Sequence, residues 1–121
     1  MRSALFVVVL GIASFAALQV QAGRPGVEGL VVEVSIADLP RLMESGTLTS
    51  EAITRAYVGR IERLDPQLGA VIAVNPEAVA QARALDAERR AGTVRGPLHG
   101  IPILLKDNVE SKDPMPTTAG S

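Results

Sequence analysis

Aromatic side chains are almost absent from this chain, and that scarcity limits what it can fold into more than any other feature. Its 121 residues include two phenylalanines, one tyrosine and no tryptophan. Phe6 and Phe15 both fall in the apolar N-terminus, so Tyr57 is the single aromatic residue beyond it. The interior must therefore be built from Leu, Ile, Val and Ala, which bury less area per residue than aromatic rings. There is no cysteine to staple such a core, and disulfides and thiolate metal sites are excluded with it. His99 is the lone histidine, so a multi-histidine metal site is excluded within this segment. A unit of this size with an aliphatic core is marginal on its own.

The N-terminus is a separate element. Met1-Arg2 gives a short positive start, residues 4–20 are apolar apart from Ser14 and Gln19, and Val20-Gln21-Ala22 places small residues at −3 and −1 of a cut before Gly23. That is the layout of a secretory signal peptide over residues 1–22. A membrane anchor formed by residues 4–20 is the alternative, although a span needs about 20 apolar residues. Cleavage after Ala22 removes Arg2, which leaves 11 basic against 13 acidic residues and a net charge of −2. Nothing in that balance suits a nucleic-acid partner. The expected location is secreted or periplasmic, with no stable membrane association after cleavage. A cysteine-free secreted chain fits a bacterial periplasm better than a disulfide-stapled scaffold.

Along the remaining chain, residues 23–34 read as a flexible leader. Ser35 caps a helix in an acidic capping box with Asp38. That helix carries Ile36, Leu39 and Leu42-Met43, is short or begins late because Pro40 sits about one turn inside, and stops at Gly46. Thr49 caps a longer second helix whose apolar face is Ile53, Ala56-Tyr57, Val58, Ile61 and Leu64, ended by Asp65-Pro66. Residues 68–74 are uncharged and β-rich, a buried strand. Asn75-Pro76-Glu77 opens a third helix with Val79, Ala82, Leu85 and Ala87 inward. Its Glu77, Arg83, Asp86 and Arg89 form a solvated face, and Gly92 ends it. A turn-rich stretch, 96–102, leads into a second buried strand, 103–105. The order helix, helix, strand, helix, strand indicates an α/β domain whose sheet is barely begun.

The second strand delivers Lys106 at its C-terminal end, where α/β folds commonly line their ligand crevices. The stretch Gly96-Pro-Leu-His-Gly-Ile-Pro-Ile-Leu-Leu-Lys-Asp-Asn108 resembles the lysine block of the amidase signature family of serine hydrolases. Leu-Thr-Ser-Glu at 48–51, Asp-Pro at 65–66, Leu-Gly-Ala-Val-Ile-Ala at 68–73 and Met-Pro-Thr-Thr-Ala-Gly-Ser at 115–121 are similar to that family too. The resemblance runs from about residue 35 to residue 121. It implies that 35–121 is the N-terminal part of an amidase domain, a mixed sheet flanked by helices, incomplete in this chain.

The resemblance implies hydrolysis of a carboxylic, non-peptide amide C–N bond through a Ser–cis-Ser–Lys triad. A serine attacks the carbonyl, a second serine held by a cis peptide bond relays the proton, and the lysine receives it. Lys106 matches that lysine. A base of this kind must be the neutral amine, yet a lysine in water titrates near 10.4, so only on the order of one molecule in a few thousand is neutral near pH 7. Burial disfavours the ammonium, and a stem rising from an apolar strand suits that purpose. The family's two serines lie in a Gly/Ser-rich stretch tens of residues after the lysine, and no such stretch occurs here. Ser121 matches the earlier Thr-Thr-Ala-Gly-Ser element instead. Thr117 and Thr118 shape a pocket wall or satisfy local backbone. His99 is structural, and Asp107 and Asn108 either orient the lysine or cap the following turn. The chain by itself is expected to be inactive. No cofactor and no metal are implied. The partner is a small-molecule amide of open identity. A secreted non-catalytic interaction protein with an amidase-like start, and the amidase subunit of a tRNA-dependent amidotransferase, are the other readings.

Overall fold

A computed structural model of the chain describes residues 26–120. The signal peptide expected at 1–22 lies outside the described residues. Among the described residues four helices follow in order: α1 (Val27–Val31), α2 (Asp38–Glu44), α3 (Ser50–Leu68) and α4 (Ala78–Arg90). α3 is the central element and packs against both α1 and α4.

The core is aliphatic, as the composition requires. Val31, Leu39, Met43, Leu48, Ile53 and Ala56 form one buried cluster, with Leu42, Tyr57 and Ile101 packed at its edge. The segment expected to be a flexible leader contributes to it. α1 is a single turn closed by the Gly29 amide on the Gly26 carbonyl at 2.8 Å, and its last residue, Val31, is buried. The Tyr57 hydroxyl donates to the Val31 carbonyl at 2.9 Å. Tyr57, the one aromatic residue among the described residues, thus fixes α1 on α3 through a polar tip as well as ring area.

The helix ends follow local chemistry. Ser35 Oγ accepts from the Asp38 amide at 3.1 Å and donates to the Asp38 carboxylate at 2.6 Å. These bonds do not make the expected capping box: α2 begins only at Asp38, its N-cap Ala37 has no side-chain cap, and Ile36, expected on the apolar face, is exposed ahead of it. Pro40 then occupies the third helical position, where a backbone N–H has no intrahelical partner to lose. Thr49 Oγ1 accepts from the Ala52 amide at 3.1 Å and caps α3. α3 passes the expected stop at Asp65-Pro66 and continues to Leu68. Pro66 has helical φ preset and forfeits only its own bond in the last turn. The stop is Gly69, left-handed at φ +59, with its amide on the Asp65 carbonyl at 2.8 Å. Gly92 ends α4 with a paired closure, its amide on the Arg89 carbonyl at 3.0 Å and the Thr93 amide on the Glu88 carbonyl at 2.9 Å.

Two expectations need correction. No strand occurs among the described residues: Leu68 belongs to α3, and residues 69–74 and 103–105 form no ladder. Leu104 is 79% exposed and Ile72 70% exposed. A β-rich run becomes a strand only when another backbone offers matching amides and carbonyls, and these two runs do not pair with each other.

The second correction concerns Asp86, expected on the solvated face of α4. It is buried, and both its oxygens reach the start of α3. Oδ1 accepts from the Ser50 amide at 2.8 Å and Oδ2 from the Glu51 amide at 3.0 Å. Its neighbours are engaged as well. Arg83 pairs with Glu51 at 2.9 Å, and together with Arg55 it pulls the Glu51 carboxyl down to about 2.

Replacing Asp86 with Ala leaves the Ser50 and Glu51 amides without acceptors. A loss of about 2–3 kcal/mol is expected for the chain, with Asp86→Asn losing less because one acceptor oxygen stays. Urea unfolding followed by circular dichroism reads both; an Asp86→Ala midpoint equal to wild type would remove Asp86 from this role.

Candidate active site

The segment that carries Lys106 starts from the end of α4. Glu88 Oε2 accepts from Arg95 Nε at 2.7 Å, and a second Arg95 nitrogen pairs with the other oxygen. The chain then turns, with the His99 amide on the Gly96 carbonyl at 3.1 Å, and His99 is buried against α4. Its Nε2 lies 2.9 Å from the Leu85 carbonyl, and its Nδ1 accepts from the Arg95 amide at 3.3 Å. The His99 carbonyl accepts from the Arg89 guanidinium at 3.0 Å. Arg89, another member of the expected solvated face, is thus committed to this turn.

Gly100 is the tightest point. Its φ is +80, and a Cβ placed there would stand 3.0 Å from both Cβ and Oγ of Ser50. That closeness lets the Ser50 hydroxyl donate to the Gly100 carbonyl at 2.6 Å. Ser50 is therefore held twice, by Asp86 through its amide and by Gly100 through its hydroxyl. From there Ile101 leans on the core and residues 103–105 run out to Lys106.

Lys106 is exposed among the described residues. It borders a broad groove of about 890 Å³ whose walls come from α3, α4 and the segments at 70–74, 101–107 and 115–117. Ile61 and Leu64 from α3 and Leu85 from α4 face it, as do Leu104 and Leu105. The groove is lined mainly by aliphatic side chains, with Arg60, Asp65, Lys106, Asp107 and Asp113 among its charged borders. Thr117 also borders it.

Asp107 makes contacts that neither sequence alternative named. Its side chain binds the later Thr-Ala-Gly element. Oδ1 accepts from the Thr118 amide at 3.0 Å, Oδ2 from the Thr118 hydroxyl, and Oδ2 from the Gly120 amide at 3.3 Å. The Thr118 hydroxyl, then its amide, with smaller help from the Gly120 and Ala119 amides, holds the Asp107 carboxyl below its usual value, against a modest opposing effect of burial. The residue beside Lys106 is thus a clamp between two parts of the block. The residues that sequence reasoning missed are Asp86 and Ser50. A signal for Asp86 was present: it stands four residues after the buried Ala82 and so shares its helical face.

The chain resembles known proteins over the same residues. A family profile described as Amidase matches residues 52–121. A Schizosaccharomyces pombe protein named as an amidase is 44% identical over 89 residues, spanning 74% of this chain and 15% of that protein. A glutamyl-tRNA(Gln) amidotransferase subunit from Streptomyces coelicolor is 39% identical over 92 residues, spanning 75% of this chain and 18% of that protein. The X-ray structure of native peptide amidase from Stenotrophomonas maltophilia superposes with a TM-score of 0.69 at 52% identity, covering 73% of this chain and 18% of that one. The chain thus spans less than a fifth of the length of each of these three.

Gly100→Ala should cost more than Gly92→Ala, by about 1 kcal/mol or more. Both positions have positive φ, but only at Gly100 does a Cβ meet another side chain. Equal losses in urea unfolding would show that the close approach to Ser50 carries no energy. Asp107 sets a pH dependence as well. With its folded value below the ordinary 3.8, its hold on residues 118–120 is complete above that value and is lost as pH falls through the lower one. The Thr118 and Gly120 amide resonances should shift together in that acid range; a shared midpoint at or above 3.8 would contradict the clamp.

Proposed function

Because the chain belongs to the Amidase family, we propose that it is the N-terminal part of a secreted amidase that hydrolyses carboxylic amide C–N bonds and that Lys106 supplies the base. The observation that supports this reading is the position of Lys106. It follows on a segment tied at His99 and Gly100 to two helices, and it borders a largely aliphatic groove.

In the proposed enzyme the two serines of a Ser–cis-Ser–Lys triad come from sequence beyond this segment, as the relatives' greater length allows. The relay serine passes the nucleophile's proton to Lys106 Nζ while the nucleophile's oxygen bonds to the amide carbon. The leaving nitrogen takes a proton back as the C–N bond breaks, and water then hydrolyses the ester. Residues 69–74 and 103–105 are strands of a mixed sheet in that enzyme. There they gain the pairing partners they lack among the described residues, and the sheet covers the groove and dries the lysine. The substrate is a small non-peptide amide.

The likeness to an amidotransferase subunit extends over the same block and does not by itself separate the readings. The signal-peptide layout of residues 1–22 favours a free, exported amidase.

In the longest natural form of the protein, Lys106→Ala should lower kcat/KM for a simple carboxamide by at least about 100-fold with the unfolding midpoint unchanged. Wild-type turnover in a folded Lys106→Ala protein would remove Lys106 from the mechanism. Export should yield a mature N-terminus at Gly23, read by mass spectrometry; retention of residues 1–22 in the membrane would favour the anchor.

A further inference from the structure

We propose that Asp107 is a positioning residue for Lys106: it locks the backbone just after the lysine onto residues 118–120, and through that element onto α4. The catalytic part of this proposal rests on the amidase reading, with Lys106 as the base; the mechanical part does not.

The lysine has little to hold it from upstream. The last fixed point before it is the turn at 98–101, closed by the Ile101 amide on the Leu98 carbonyl at 3.0 Å. Residues 102–105 form no ladder among the described residues, and Leu104 is exposed. Such a run does not by itself fix where the next side chain emerges. Beyond the lysine the contacts are dense. The Lys106 carbonyl accepts from the Val109 amide at 2.9 Å, and the Asp107 carbonyl from the Ala119 amide at 3.3 Å. The Asp107 carboxylate accepts from the Thr118 amide and hydroxyl and from the Gly120 amide. Three successive amides, 118 to 120, thus converge on one residue.

That convergence needs an unusual backbone. Ala119 has φ +49 and Gly120 has φ +84. Left-handed backbone curls the chain so that successive N–H groups point the same way, a concavity that binds anions in other proteins. Here its occupant is a carboxylate of the same chain. Glycine takes such angles freely, but alanine does not. A left-handed alanine persists only where its surroundings hold it, and the contacts with Asp107 supply that hold.

The other end of the same element is anchored to α4. Gln81 Nε2 donates to Asp113 Oδ1 at 2.7 Å, and the Met115 amide closes on the Asp113 carbonyl at 2.7 Å. Between the two anchors, Met115, Pro116 and Thr117 border the groove that Lys106 also borders. The path from Gln81 through Asp113 and Thr118 to Asp107 therefore braces the lysine from downstream, as the turn at 98–101 does from upstream. A direct effect of the Asp107 charge on the lysine has less support. Its oxygens are spent on residues 118–120, and among the described residues no ion pair joins it to Lys106.

The test uses the longest natural form of the protein and a simple carboxamide. Asp107→Ala should lower kcat by about tenfold or more with KM within about twofold, because the substrate still binds while the base is misplaced. Asp107→Asn keeps an acceptor for the Thr118 amide and should recover most of that loss. Thr118→Val removes the hydroxyl arm but leaves the Asp107 charge. It should lower kcat too, and combined with Asp107→Ala it should add little further loss. Unchanged kcat in Asp107→Ala, a loss carried by KM alone, no recovery in Asp107→Asn, or full activity in Thr118→Val would overturn the proposal. Hydrogen exchange read by mass spectrometry on the same variants tests the mechanical part without turnover. Asp107→Ala should raise uptake in peptides covering 103–109 and 115–120 together, while the middle of α3 stays protected. A rise confined to 115–120 would overturn the brace. If Asp107→Ala does not fold, Thr118→Val decides by the same two readouts. A wild type that hydrolyses no carboxamide counts against the amidase reading, and the exchange result still decides whether Asp107 fixes the backbone at the lysine.

Discussion

Two helices that run past each other meet at one carboxylate. Asp86 on α4 accepts the first amides of α3, and the rest of the structure depends on that contact. A helix start leaves amides without intrahelical partners and carries partial positive charge, so a buried acid four residues beyond Ala82 is stabilised where it would otherwise be costly. Fixing the start of α3 fixes Ser50, and Ser50 in turn accommodates the glycine turn through its hydroxyl. The segment carrying the lysine is thus positioned by the end of one helix and the side of another, without a sheet.

The same arrangement leaves a surface open. α3 buries Ile53 and Ala56 in the core shared with α1 and α2, while Ile61 and Leu64 on its later turns look into the groove with Leu104 and Leu105. With so few aromatic residues the helices bury only one compact cluster, and the aliphatic side chains beyond it remain at the groove. In a protein more than five times the length of the matched segment, as the relatives are, such a face has material to cover it.

Local chemistry is legible in the residues. The Thr49 cap, the stops at Gly46 and Gly92, the late start forced by Pro40 and the aliphatic core each follow from propensities that act within one turn of helix. The order of glycines, prolines and lysine from 96 to 108 is enough to suggest the family. Three readings fail for a shared reason. α1 looks like a leader in the sequence, because five residues become a helix only where Tyr57 and the core receive them. Asp86 and Arg89 look like a solvated face, because a charged side chain on a helix is indistinguishable from a solvated one until its distant partner is in place. The strands follow from composition, but pairing is a property of two backbones.

Sequence alone therefore determined the Thr49 cap, the stops at Gly46 and Gly92, the aliphatic interior and the likeness to amidases, since all of these depend on neighbours along the chain or on residue type. Tertiary structure decided which acid caps which helix, which tautomer the lone histidine adopts, what Asp107 clamps and where the groove opens beside Lys106. These depend on groups 4 to 50 positions apart brought within about 3 Å, and no local pattern encodes a distance of that kind.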